Sequence, residues 1–101
     1  MPITCTRENR VMTAEITGEV DHHRARALME ELAHHIDADL PRDLTLDLGG
    51  VTFMDSSGIA VLLRTFRRMG ELGGSLRVVH VPDQAGKVLR AAGVDRLIRF
   101  E

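Results

Sequence analysis

The spacing of apolar residues switches repeatedly along this chain between a period of two and a period of three to four. Period-two alternation predicts β-strands with one buried face, whereas apolar residues three and four apart predict amphipathic helices. Strand-like segments occur at residues 3–5, 12–16, 44–48, 75–81 and 97–100, and helical spacing occurs at residues 25–36, 59–69 and 85–92. The predicted order is therefore strand, strand, helix, strand, helix, strand, helix, strand.

This order restricts the fold to a mixed sheet. The first two strands flank a short turn at residues 8–10, which predicts an antiparallel hairpin. The later strands are joined through helices, and such units pair their strands in parallel with right-handed crossovers. Several strands keep a polar face, so we expect the helices mainly on one face of the sheet. The chain is predicted to form a single α/β domain over residues 1–101, with a mostly parallel sheet and an N-terminal antiparallel hairpin.

Turn and capping residues predict where several elements begin and end. Gly18 is expected to close the hairpin, Asp21 to act as the N-cap of the first helix, and Pro41 to lie beyond its end. Pro82-Asp83 predicts the start of the third helix, and Gly93 predicts its end. The glycines at positions 70, 73 and 74 are expected to end the second helix.

Composition excludes several classes of function. The 101 residues carry a formal net charge of −2, which does not favour direct binding to nucleic acid or to an anionic membrane surface. Cys5 is the single cysteine, so an intrachain disulfide and a cysteine-rich metal site are impossible. The apolar runs are far too short to cross a membrane, and the first ten residues lack the apolar core of a signal peptide. We expect a cytoplasmic protein with no metal and no cofactor.

The segment Asp55-Ser56-Ser57-Gly58 lies where a predicted strand gives way to a predicted helix. Asp55 or Ser56 alone would suffice as an N-cap, which is the simplest interpretation of this segment. Capping does not account for the second hydroxyl, Ser57, followed by Gly58, because glycine early in a helix costs about 1 kcal/mol relative to alanine. The alternative is a role for Ser57 in chemistry or recognition.

A serine hydrolase is a third interpretation, and the pattern disfavours it. A nucleophile elbow places glycine two residues before and two residues after the serine, where this chain has Asp55 and Ile59. A base would have to come from the histidines, which lie at positions 22, 23, 34, 35 and 80. The adjacent pair at 34 and 35 does not predict a metal site either, since neighbouring side chains on a helix point about 100° apart.

Two longer segments carry a family resemblance. GEVDHHRARAL at residues 18–28 and LTLDLGGVTFMDSSGIAVLL at residues 44–63, in this order and spacing, closely resemble the bacterial anti-anti-sigma factors of the STAS domain family. The order of strands and helices and the length are similar as well, so the resemblance covers nearly the whole chain. It implies a non-enzymatic protein that binds an anti-sigma factor and thereby frees a sigma factor to join RNA polymerase.

The resemblance also implies roles for individual residues. In the family, the anti-sigma factor is typically a serine kinase that phosphorylates the second serine of the motif, which is Ser57 here, and a PP2C-type phosphatase reverses the modification. Asp21 and Asp55 match acidic positions close to that serine, and we expect them to serve kinase and partner recognition together with Ser56 and Gly58. Gly58 is expected to leave Ser57 open to the kinase.

Phosphorylation of Ser57 would add about −1.5 to −2 charge at a predicted helix N-terminus. Free N–H groups and the helix dipole favour an anion at such a position, so we expect the fold to survive the modification. A complex that buries the phosphate close to the carboxylates of Asp21 and Asp55 should not survive, because an unpaired buried charge is strongly unfavourable.

The chain departs from the family pattern at its C-terminal end, which bears on how fully the core is covered and not on the Ser57 segment. Many family members continue into a further C-terminal helix, whereas this chain stops at Phe100-Glu101, directly after the last predicted strand. Asp47 matches the strand aspartate of the family signature, but the match does not define its role.

The alternative to a phosphorylation-switched antagonist is a STAS-type module that senses a small ligand or joins a larger regulatory assembly, with Ser57 never phosphorylated. In either case we expect the isolated protein to be a monomer.

Overall fold

The computed structural model describes residues 3–101, which form one five-stranded sheet and three helices. The strands are β1 (Ile3–Glu8), β2 (Val11–Val20), β3 (Asp43–Met54), β4 (Ser75–Val79) and β5 (Arg99–Phe100). The helices are α1 (Ala25–Asp39), α2 (Ser57–Glu71) and α3 (Asp83–Ala91), and a single turn of 3-10 helix (Val94–Arg96) follows α3. Apart from that turn, the order of strands and helices is the predicted one.

The strands lie in the sheet in the same order as in the chain, from β1 to β5. β1 and β2 pair antiparallel, and all later neighbours pair in parallel. Three right-handed crossovers that advance in one direction across a sheet place their helices on the same face. The predicted α/β domain, with an N-terminal hairpin and a mostly parallel sheet, is confirmed.

The face of the sheet that the helices cover is aliphatic. Alternate residues of the three central strands are buried there: Met12, Ala14, Ile16, Leu44, Leu46, Leu48, Leu76 and Val78. The helices bury matching apolar positions: Leu28, Leu32 and Ile36 from α1, Val61, Leu62 and Met69 from α2, and Ala85 and Leu89 from α3. Burial of this apolar surface is the main source of stability, at about 25 cal/mol for each Å² removed from water.

The opposite face of the sheet is polar and carries cross-strand hydrogen bonds between β3 and β4. The Ser75 hydroxyl donates to Asp43 Oδ1 at 2.6 Å, and Arg77 Nε donates to Thr45 Oγ1 at 2.9 Å. Both pairs are directly opposed in the register of the two strands. The Ser75 hydroxyl is also the main reason why the pKa of Asp43 lies below its ordinary value. These bonds support the β3–β4 register on a face that remains open to water.

The hairpin agrees with the prediction at its turn but not at its end. Asn9 and Arg10, within the predicted turn, have φ values of 52° and 67°, and two-residue hairpin turns commonly need such left-handed values. The prediction that Gly18 closes the hairpin is wrong, because β2 continues to Val20. Gly18 has a φ of 84° and lies next to a shift in register against β3, so it forms a bulge within the strand.

The first helix begins at Ala25 rather than directly after Asp21. Residues 22–24 form a turn in which the backbone amides of His23 and Arg24 donate to Asp21 Oδ1, both at 3.1 Å. Asp21 therefore caps the turn that leads into α1, and the predicted N-cap position is wrong by three residues. The N-cap itself, Arg24, makes no side-chain capping bond.

The other helix boundaries are mostly as predicted. α1 ends at Asp39, before Pro41, and α3 begins directly after Pro82. Gly93, with a φ of 78°, follows the end of α3. The prediction for the end of α2 is wrong for Gly70, through which the helix continues to Glu71, and right for Gly73 and Gly74, which follow that end.

The last strand is shorter than its apolar residues predict. Only Arg99 and Phe100 pair with β4, while the 3-10 turn occupies Val94–Arg96. Leu97 is 57% exposed and lies outside the strand, whereas Ile98 is buried. The spacing of apolar residues did not distinguish this irregular segment from a strand.

Gly58 in the first turn of α2 is buried against Met54, the last residue of β3. A Cβ atom at position 58 would lie 2.5 Å from Met54 Sδ and 2.9 Å from Met54 Cε, and Met54 is itself 1% exposed. Contacts this short would force a buried side chain to move. Close packing against Met54 is thus a sufficient reason for glycine here, and the expected role of Gly58 in exposing Ser57 stays a prediction.

We expect Gly58→Ala to lower the free energy of unfolding by about 1–3 kcal/mol, because the added methyl group overpacks the contact with Met54. Gly70→Ala is the matched control in the same helix, since a Cβ there meets nothing within 4 Å. It should leave stability unchanged or raise it by up to about 1 kcal/mol, through the higher helix propensity of alanine. Urea unfolding followed by circular dichroism measures both, and equal stability of the Gly58 variant and the wild type would contradict the packing explanation.

Candidate functional site

The carboxyl ends of β2 and β3 bring the two predicted acidic residues to the same edge of the sheet. Val20 and Met54, the last residues of these parallel strands, are directly paired. Asp21 and Asp55 follow them immediately, and the Asp55 amide donates to the Val20 carbonyl at 3.1 Å. Clefts at the carboxyl ends of parallel strands are the common location of functional sites in α/β proteins. Asp21 and Asp55, which are 34 positions apart in the chain, thus become neighbours through strand pairing.

The Asp55 carboxylate connects the two loops that follow these strands. Its Oδ1 accepts the Ser57 amide at 2.8 Å, and its Oδ2 accepts the His22 amide at 3.2 Å. The Ser57 amide foremost, then the Ser57 hydroxyl and the His22 amide, hold the pKa of Asp55 below its ordinary value, against the opposing effect of burial. Hydrogen bonds from backbone N–H groups favour the ionised carboxylate, so this shift follows directly from the geometry. Asp55 is therefore an anionic link that fixes Ser57 against the lead-in turn of α1.

The two serines differ in burial and in position. Ser56, the N-cap of α2, is exposed and makes no side-chain capping bond, and Ser57, the first residue of the helix, is half-buried. The predicted capping bond comes from Asp55, which lies one residue before the N-cap and receives the Ser57 amide, while Ser56 holds the N-cap position without a side-chain bond. Neither serine hydroxyl is thus needed to begin the helix.

The amides at the start of α2 are already bonded. The Gly58 amide donates to the Asp55 carbonyl at 3.0 Å, and the Ile59 amide donates to the Ser56 carbonyl at 3.1 Å. With the Ser57 amide on the Asp55 carboxylate, the expectation of free N–H groups at this helix N-terminus is wrong for these three amides. All three amides are bonded within the tight first turn. A phosphate on Ser57 could therefore accept one of them only by displacing the carboxylate or carbonyl oxygen to which it is bonded.

The five histidines do not gather at Ser57. His22 and His23 flank the site from the lead-in turn, exposed, with ring centroids 4.0 Å apart. His34 and His35 lie in α1, and His80 bonds elsewhere. Among residues 3–101, no hydrogen bond joins the Ser57 hydroxyl to a histidine, and no cluster of three or more ligating side chains could hold a metal ion. None of the helices in that range is long and apolar enough to span a membrane.

Asp47 lies away from the serines, on the polar face of the sheet. Its Oδ1 accepts the Gly49 amide at 2.9 Å and lies 3.1 Å from His80 Nδ1. His80, directly after β4, has a left-handed φ of 55°. Asp47 thus supports the point where β3 and β4 separate, and the structure does not bring it to the predicted site.

Gln84 reaches the site and was not predicted from the sequence. Its Oε1 accepts the Met54 amide at 2.8 Å, and its Nε2 donates to the Met54 carbonyl at 2.7 Å. Gln84 lies in the first turn of α3, where a polar residue normally faces water. The sequence holds no local signal that would link it to a strand end 30 residues earlier.

Comparison with known proteins identifies the family of this chain. The STAS domain family matches residues 3–101. The anti-sigma-B factor antagonist of Bacillus subtilis strain 168 is 31% identical over 83 residues, which cover 82% of this chain and 74% of that protein. Proteins of this name are non-enzymatic regulators, in agreement with the prediction for this chain.

Solved structures share the fold over nearly the whole chain. The crystal structure of an anti-sigma factor antagonist from Mycobacterium paratuberculosis superposes with a TM-score of 0.85 at 26% identity, over 97% of this chain and 82% of that chain. The Bacillus cell fate determinant SpoIIAA in its phosphorylated form superposes with a TM-score of 0.74 at 19% identity, over 98% of this chain and 90% of that chain. The chain belongs to the STAS domain family, as its two signature segments predicted.

Proposed function

We propose that this protein is an anti-sigma factor antagonist, which binds an anti-sigma factor with serine kinase activity and so releases the sigma factor that this partner holds. Phosphorylation of Ser57 switches the binding off, and a PP2C-type phosphatase restores it. One observation carries the proposal: Asp55 holds the Ser57 amide at the start of α2, at the edge where Asp21 also lies, so neither serine hydroxyl is needed for that bond. The antagonists to which the chain is similar support the choice of partner.

The residues of the proposed interface divide by what they already do inside the protein. Both carboxylate oxygens of Asp55 accept backbone amides, and Gly58 is buried against Met54. These two residues act by shaping the segment. Asp21 uses Oδ1 for its own turn, and Ser56 is exposed. We therefore assign direct contacts with the kinase and partner to Asp21 Oδ2 and to the Ser56 hydroxyl, beside the phosphoacceptor Ser57.

The electrostatics of the site support a switch that needs no refolding. A phosphate on Ser57 adds about −1.5 to −2 charge next to the Asp55 carboxylate, which is already ionised. The three amides at the start of α2 are bonded, so the phosphate in the free protein depends on water for its solvation. A partner that covers the segment must remove that water without supplying enough counter-charge. A loss of about 2.8 kcal/mol would weaken the complex about a hundredfold.

A matched pair of variants separates charge from shape at Ser57. Ser57→Asp introduces a carboxylate, whereas Ser57→Asn introduces a side chain of nearly the same shape without charge. We expect Ser57→Asp to weaken binding to the cognate anti-sigma factor by about tenfold or more, and Ser57→Asn by clearly less, because a desolvated charge is the cause of the loss. Isothermal titration measures both affinities, with circular dichroism as the check on folding.

The modification itself is tested by incubation with the kinase-type anti-sigma factor and ATP, followed by mass spectrometry of the intact protein and its peptides. A single phosphate at Ser57 is expected. Equal affinity of the wild type and Ser57→Asp, together with no phosphate on Ser57, would contradict the switch. That outcome would favour a STAS module that binds a ligand or an assembly without phosphorylation.

The lowered pKa of Asp55 predicts how acid affects the Ser57 segment. A group whose pKa is lower in the folded protein stabilises it above the unfolded value, about 3.9 for aspartate, and this contribution is lost as pH falls through the folded pKa. The Asp55 carboxyl resonance should therefore titrate below pH of about 3.9, and the amide signals of Ser57 and His22 should shift with the same midpoint. In Asp55→Asn, which keeps an acceptor oxygen but cannot titrate, these amide shifts should lose that midpoint. A midpoint at or above the unfolded value would contradict the hydrogen-bonded carboxylate.

A further inference from the structure

We infer that Gln84 is a positioning residue for the phosphoacceptor segment, and that α3 sets the presentation of Ser57 through this side chain. The inference rests on the proposed function for its biological consequence. Its structural basis is a pair of hydrogen bonds from one side-chain amide to both backbone groups of Met54. Met54 is the residue directly before Asp55-Ser56-Ser57.

The end of β3 has a strand neighbour on one side only. β3 pairs with β4 up to Asp47, opposite Val79, and then continues for seven residues to Met54 along β2 alone. Backbone groups of successive strand residues point to alternate sides. The Asp55 amide points toward β2, where it meets the Val20 carbonyl. The amide and carbonyl of Met54 therefore point to the side where β4 has already ended.

Gln84 takes the place of the missing strand at this point. A strand residue would offer one donor and one acceptor, and the carboxamide of glutamine offers the same pair. Its Oε1 accepts the Met54 amide at 2.8 Å, and its Nε2 donates to the Met54 carbonyl at 2.7 Å. Glutamate at this position would keep the acceptor but lose the donor. The two bonds therefore require an amide rather than a polar side chain in general.

Met54 passes this constraint to Ser57 by two short routes. Its backbone leads directly to Asp55, whose carboxylate holds the Ser57 amide. Its side chain fills the space beside Gly58, so a shift of Met54 would press on the first turn of α2. A movement of α3 that displaces Gln84 would thus change the position of the serine hydroxyl through Met54 and Asp55. Orientation of a reacting group strongly affects the rate of a transfer reaction, even where binding is unchanged.

Gln84 is exposed, so its replacement should leave the core intact. We expect Gln84→Ala and Gln84→Glu to fold like the wild type by circular dichroism. In Gln84→Ala the Met54 amide should exchange with solvent about tenfold faster or more, because its only acceptor is removed. Lys87→Ala, an exposed position one turn further along α3, is the matched control and should leave this exchange unchanged.

The functional readout is the rate of Ser57 phosphorylation by the kinase-type anti-sigma factor. A positioning role predicts a fall in kcat of about threefold to tenfold for both Gln84 variants, with KM nearly unchanged, and no effect of Lys87→Ala. A role confined to stability would leave kcat unchanged under conditions where the variants are fully folded.

The outcomes separate failure of this inference from failure of the proposed function. Unchanged exchange at Met54 in Gln84→Ala, or accelerated exchange with an unchanged kcat, would overturn the positioning role. If wild-type protein is not phosphorylated at all, the proposed function fails. The structural part of the inference is then decided by exchange at Met54 and by the amide shift of Ser57, which should move in Gln84→Ala and not in Lys87→Ala.

Discussion

The parallel pairing of β2 with β3 is the constraint on which the rest of the site depends. It continues to the last residue of each strand, Val20 opposite Met54, and so the two following loops start side by side. Asp55 can then reach across with one oxygen to His22 while it holds Ser57 with the other. Two register shifts in this pair, one of them next to Gly18, determine which residues meet at the end. A slip of one residue would reverse the faces of the strand and separate the acidic residues from the serine.

Stability and recognition are divided among neighbouring residues of one short segment. Met54 and Gly58 belong to the core, and Asp55 links backbone amides of two loops. Ser56 makes no side-chain capping bond and is exposed, whereas the Ser57 hydroxyl faces the Asp55 carboxylate and its residue is half-buried. Under the proposed function, rigid support around Ser57 suits a group that a partner recognises and modifies, because little ordering is needed on binding.

The sequence predicted the parts of this structure that local physics determines. Apolar spacing was sufficient for the order of strands and helices along the chain, and the helical connections then predicted parallel pairing of the later strands. The order of the strands within the sheet was not predicted. The wrong predictions concern residues whose role depends on the folded structure around them and not on residue type alone. Gly18 resembles a strand end but is a bulge against β3, and Asp21 resembles a helix cap but caps a preceding turn. Gln84 could not be predicted, because its role exists only once α3 has packed beside the end of β3.

The match between strand order and chain order has a consequence for synthesis. Each strand joins a neighbour that was made before it, so the sheet can grow in step with a chain that emerges from the ribosome. The bonds of Asp55 require residues only as far as α2, whereas the bonds of Gln84 wait until α3 is made. The bonds that hold Ser57 in its turn can therefore form before the outer side of Met54 is bonded, and α3 completes the support of this segment once it has been made.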